Sequence, residues 1–126
     1  MGTFLFFLAC SESLHPKEDS PENAWYEACS KTAFEQRLMP VNGIMLNVAC
    51  RGEGPTVVFL HGFPEFHYSW NAVINELADD YRLIAPDQRG YNLSDKPEDV
   101  DDYHLTHLYR DIYELLPLVS PEPVLL

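Results

Sequence analysis

The spacing of apolar and polar positions changes several times along the chain. From Phe34 to Val41 and from Ile44 to Cys50, two short extended segments flank Asn42-Gly43, a dipeptide that tolerates the positive φ of a tight turn. They predict a β-hairpin. Arg51-Gly52-Glu53-Gly54-Pro55 makes a second turn, and Thr56-Val57-Val58-Phe59-Leu60 follows as an unbroken β-rich apolar run. Such a run suits a strand covered on both faces. Trp70, Val73, Ile74 and Leu77 then fall at i, i+3, i+4 and i+7, which predicts a helix with one face on a sheet.

Tyr81 to Pro86 gives the next strand. A second helix is expected from near Thr106, with Leu108, Ile112, Leu115 and Leu116 inward and Pro117 ending or bending it. Val124-Leu125-Leu126 opens a further apolar stretch. Strand, helix, strand, helix and a new strand is the order that builds a parallel sheet through right-handed crossovers.

Before Trp25 the pattern is different. Ser11 to Asn23 carries charge, Ser and Pro with little periodicity, so 1–24 reads as a leader or linker and 25–126 as the organised domain. The apolar run Phe4 to Ala9, ending at Cys10, resembles a short export or lipoprotein signal, although no Lys or Arg precedes it. Export or lipid anchoring through Cys10 is therefore the alternative to a cytoplasmic location.

Composition narrows the function classes. The 126 residues fit one small domain, and 46% hydrophobic residues are enough to bury a core. A formal net charge of −12 argues against nucleic-acid or anionic-membrane partners, which need clustered Lys and Arg. No apolar run reaches the roughly 18 residues that cross a bilayer. Cys10, Cys29 and Cys50 form no CxxC pair and no cluster at metal-ligand spacing. Their odd number fits poorly with a disulfide framework, so a reducing compartment is expected.

The candidate chemistry lies where strands end. Gly62 follows the apolar run through His61, and a residue without Cβ lets the backbone turn sharply and approach a reacting centre. Asp87-Gln88-Arg89-Gly90 follows the next strand, at the sheet end where open α/β folds place ligands. Asp87 is expected to cap and hydrogen-bond its loop, with Arg89 as a charge partner and Gly90 for the turn. Ser94 is a loop residue, since no G-x-S-x-G surrounds any serine. His104 and His107 lack a third ligand, so no metal site is expected.

"HGFPEFHYSW" (His61 to Trp70) followed by "APDQRGYNLSDKP" (Ala85 to Pro97) resembles the N-terminal part of the α/β-hydrolase fold, and within it the epoxide hydrolase-like group. The hairpin "VNGIMLNVACRGEGPTVVFLHG" resembles the same group's first strands. The resemblance implies a β-hairpin leading into a mostly parallel sheet with flanking helices, truncated before the turn that carries the nucleophile.

It also implies roles. The backbone N–H of Phe63 would be one donor of an oxyanion hole, and Pro64 would hold the loop through a cis bond with Phe63. Phe63, Pro64, Phe66, Tyr68 and Trp70 are candidates for a pocket wall, with core packing the stronger expectation for Trp70. His61 would be structural, like Gly62, Asp87, Arg89 and Gly90. His67 stands where close relatives often carry a bulky aromatic.

The implied activity is opening of small apolar epoxides to diols through an aspartyl ester, without a cofactor. The aspartate, its acid and His partners, and the lid would lie beyond Leu126, so the chain by itself is expected to be inactive. The alternatives are a haloacid or haloalkane dehalogenase-like hydrolase, acting on a halogenated substrate, or a non-catalytic fragment. Haloalkane dehalogenases usually carry Asn at the position of Phe63, which favours the epoxide or haloacid branch. Oligomeric state is left open.

Overall fold

The computed structural model describes residues 29–126. The expected leader and the candidate anchor Cys10 lie outside the described residues. Strands β1 (Glu35–Val41) and β2 (Ile44–Arg51) form the hairpin, antiparallel with Val41 opposite Ile44. Asn42 and Gly43 take φ of 44° and 76°, the left-handed values that a two-residue turn requires. β3 (Thr56–Val58) and β4 (Arg82–Pro86) are parallel to each other, and β4 pairs antiparallel with β2.

The sheet order is β1-β2-β4-β3. Leu125 bridges Val57 in parallel on the outer edge of β3, its carbonyl accepting from the Val58 N–H at 2.8 Å. The expected strand therefore does begin there. The sheet is antiparallel across β1, β2 and β4 and parallel from β4 to β3.

Alternation along the strands sorts two cores. Leu46, Val48 and Cys50 of β2, with Val58 and Ile84, face helix α2 (Leu105–Val119) through Leu115 and Val119. On the opposite face, Leu83 and Ala85 meet Ile74 and Ala78 of α1 (Asn71–Leu77) and its C-cap. A one-residue slip of β4 would exchange the two sets, so burial fixes the register.

Three boundaries differ from expectation. β3 stops at Val58, although Phe59 N–H still bonds the Ile84 carbonyl at 2.8 Å. The stripe that starts at Trp70 enters through a 3-10 turn, His67–Trp70, before α1. Pro117 neither ends nor precedes the end of α2 by a full turn, and the helix runs to Val119. A proline there removes only the bond to the carbonyl of Tyr113, on the exposed side of the helix where water can satisfy it.

The cysteines also depart from expectation. Cys29 and Cys50 are joined in a disulfide. An odd count weighs against a multi-bridge framework but leaves a single bridge open, and two thiols 21 residues apart carry no local signature of pairing.

Candidate functional site

The loop that leaves β3 begins at His61, which is 5% exposed. Its Nε2 accepts the Gln88 backbone N–H at 2.9 Å, so the ring proton sits on Nδ1 and donates to the Gly62 carbonyl at 3.1 Å. The Gln88 side chain returns a hydrogen bond to the His61 carbonyl, and Tyr91 packs edge-on against the imidazole. Both ring nitrogens are engaged, as a structural histidine's would be.

The loop ends at His67, also buried. Its backbone N–H and Nδ1 both reach Asp87 Oδ1, at 2.9 and 2.8 Å. The other carboxylate oxygen accepts from Asn47 Nδ2 and Asn92 Nδ2, each at 2.8 Å. Burial would raise the Asp87 pKa, yet the hydrogen bonds from His67, Asn47 and Asn92 outweigh it and hold the carboxyl below its ordinary 3.8. Asp87 is an ionised, fully buried acceptor.

Adjacent residues thus hold both ends of one loop: Gln88 its start and Asp87 its finish. Between them, Glu65 N–H bonds the Gly62 carbonyl at 2.9 Å, and the Phe63-Pro64 bond is cis. The Phe63 N–H has no acceptor among the described residues. A Cβ placed on Gly62 would meet no atom within 4 Å. No described atom therefore stands over Gly62, beside this amide.

The aromatics divide. Phe63 is 86% exposed, and Phe66 and Tyr68, whose rings stack at 5.9 Å, are exposed as well. Pro64 lies on the same exposed stretch. Trp70 instead packs on Phe59 at 5.0 Å, in the core beneath α1. Its indole N–H is buried without an acceptor among the described residues.

Arg89 turns away from Asp87. It makes a bidentate pair with Asp111 of α2, both bonds at 2.8 Å, and a third bond to the Asp102 carbonyl. The Asp111 hydrogen bonds raise its pKa, so it stays charged although 3% exposed. Asn42 of the hairpin turn also reaches Asp111, at 2.8 Å, and its backbone N–H donates to Glu114 at 2.6 Å. Gly90 has φ 88°, and a Cβ there would lie 2.7 Å from the Tyr103 ring. Ser94 is buried, accepting from the Asn47 N–H and donating to the Asp87 carbonyl.

Sequence reading missed His67 and Asn47 as partners of Asp87, and Asp111 as the partner of Arg89. Separations of 20 to 40 residues leave no periodic trace of such pairs. Among the described residues, no group of three His, Cys, Asp or Glu side chains could hold a metal ion.

The alpha/beta hydrolase fold family model matches residues 55–126. The chain is 55% identical over 84 residues to the AB hydrolase superfamily protein YfhM of Bacillus subtilis, covering 64% of this chain and 29% of that protein. It is 37% identical over 115 residues to Epoxide hydrolase 1 of Caenorhabditis elegans, covering 90% of this chain and 27% of that protein.

The solved epoxide hydrolase VrEH1 from Vigna radiata superposes with a TM-score of 0.67 at 46% identity, over 69% of this chain and 29% of that one. The chain spans less than a third of the length of these relatives and corresponds to their N-terminal portion. The match over more than half its residues, on a sheet and loop of the expected form, shows that this chain belongs to the alpha/beta hydrolase fold family.

Proposed function

We propose that this chain supplies the oxyanion-side loop and the first part of the pocket wall of an epoxide hydrolase. The observation that carries the reading is the Phe63 N–H, unpartnered among the described residues, on a loop fixed at both ends by Asp87 and Gln88 and with no described atom over Gly62. A donor held in place before charge develops costs no reorganisation when the oxyanion forms.

In this reading an aspartate outside the chain attacks an epoxide carbon, the C–O bond breaks, and the alkoxide is protonated as an ester forms. Water, activated by a histidine, then adds to the ester carbonyl. The oxygen that becomes negative accepts from the Phe63 N–H, and collapse releases the diol and restores the carboxylate. The aromatic side chains of Phe63, Phe66 and Tyr68 form apolar surface beside that amide, which suits a small apolar epoxide.

The same first step on a carbon–halogen bond would make a dehalogenase. Phe63, in place of the Asn usual in haloalkane dehalogenases, favours the epoxide or haloacid branch over the haloalkane one. The relatives named as epoxide hydrolases favour the epoxide.

A single-turnover reaction in water labelled with heavy oxygen tests the reading, using the enzyme translated from the whole reading frame. Through an aspartyl ester, the first diol carries unlabelled carboxylate oxygen and later diols carry the label. Label in the first diol would mean direct attack by water and would overturn the ester route. Residues 1–126 alone are expected to form no diol above buffer.

A further inference from the structure

The disulfide lies in the core and not on the surface. Cys50 is fully buried near the end of β2, opposite Glu35 on β1 and Ile84 on β4, and Cys29 is 5% exposed within the same apolar cluster. The hairpin register, extended past Glu35, would carry Cys29 away from Cys50. The chain instead bends at 31–33 and lies back across the end of β2.

Noncovalent contacts follow the same path. Gly52 N–H donates to the Ser30 carbonyl at 3.0 Å, Arg51 Nε donates to the Lys31 carbonyl at 3.0 Å, and Lys31 pairs with Glu53. Arg51 also lies over the Phe34 ring, 5.7 Å from its centroid. Around one covalent bond, residues 29–34 form a strap over the hairpin's open end.

Two features set the character of this bond. The Cα atoms stand 5.6 Å apart, within the ordinary range for a bridge. Both sulfurs sit among Met39, Val41, Leu46, Val48 and Leu115, out of reach of an attacking thiolate once the domain has folded. A regulatory disulfide needs an exposed sulfur, and this one offers none.

We propose that Cys29–Cys50 is a permanent structural bridge, closed by a disulfide oxidant during folding, and that the protein therefore matures in an oxidising compartment rather than the cytoplasm. Two thiols lose their protons and two electrons, one S–S bond forms, and the oxidant's disulfide is reduced to a dithiol. With two of the three cysteines paired, the odd count that pointed to a reducing compartment no longer does so.

The test starts with the protein in its own host. Acid quenching, alkylation of free thiols, cell fractionation and non-reducing peptide mapping report both the pairing and the compartment. The expected result is a linked Cys29–Cys50 peptide, found outside the cytoplasmic fraction. Both cysteines alkylated, or a linked peptide found only in the cytoplasm, would overturn the proposal.

A second measurement does not depend on location. In the purified native protein, millimolar dithiothreitol should leave the bridge intact for hours and open it at once in denaturant. The double variant Cys29→Ala, Cys50→Ala should melt lower by about 10 °C or more. Rapid reduction without denaturant, or an unchanged Tm, would show that the bond is neither sealed nor structural.

Discussion

Asp87 Oδ1 receives two hydrogen bonds from one residue, the backbone N–H of His67 at 2.9 Å and its Nδ1 at 2.8 Å. A single buried oxygen thereby fixes both the main chain and the ring at the end of the loop that carries the Phe63 amide. The other oxygen binds β2 through Asn47 and its own loop through Asn92. The carboxylate joins three segments, and its loss should be felt in all of them.

Asp87→Asn replaces one acceptor oxygen with a donor that must face His67 or the two asparagines. The expected loss is about 2–4 kcal/mol, read from the urea midpoint at unchanged m. Wild-type stability in that variant would mean that the buried network contributes nothing.

Acid should reveal the same carboxylate. Its folded pKa lies below the unfolded value of 3.8, so the folded state binds the proton less readily. Its contribution is complete above the unfolded value and is lost as pH falls through the lower folded value. The Tm gap between wild type and Asp87→Asn should therefore be constant near neutrality and narrow below about pH 4. A gap that widens with acid would reverse the sign of the shift.

The Arg89–Asp111 pair predicts an asymmetry. Asp111→Ala strands a buried guanidinium and removes an acceptor of Asn42, for a cost of about 3–5 kcal/mol. Arg89→Met with Asp111→Leu removes both charges, and its loss should be clearly smaller than the sum of the single changes. Equality with that sum, in a double-mutant cycle by denaturant unfolding, would show that the two groups are uncoupled.

Gly90→Ala forces a Cβ into the Tyr103 ring at a φ of 88° that L-residues disfavour. It should cost about 1–3 kcal/mol and lower the Tm. Adding Tyr103→Ala should recover the steric part and leave the backbone part.

How much of this was readable in advance follows from the range of each interaction. The Asn42-Gly43 turn and the extended segments of β2 and β4 are local, and they appear where the sequence predicts. α2 likewise follows its apolar spacing, and α1 does so except at Val73, which is exposed, while the passage of α2 through Pro117 depends on which side of the helix faces water. His61 stood out through the motif, and both of its ring nitrogens carry hydrogen bonds.

The partners of Asp87 and Arg89, and the pairing of Cys29 with Cys50, are contacts made by tertiary folding. His67 illustrates the gap. In sequence it is one ring among several in Phe66-His67-Tyr68, and only the return of β4 beside the loop gives it a carboxylate to bind.

The most direct measurement of the central claim removes one hydrogen. Semisynthesis of the enzyme from the whole reading frame, with the amide at Phe63 replaced by an ester, deletes the N–H and keeps the side chain. The account predicts a fall in kcat for diol formation of about 10²–10³-fold, at the ester-hydrolysis step, with KM falling alongside it as the ester intermediate accumulates. An unchanged kcat would contradict it, because the amide at Phe63 would then have no part in stabilising the oxyanion.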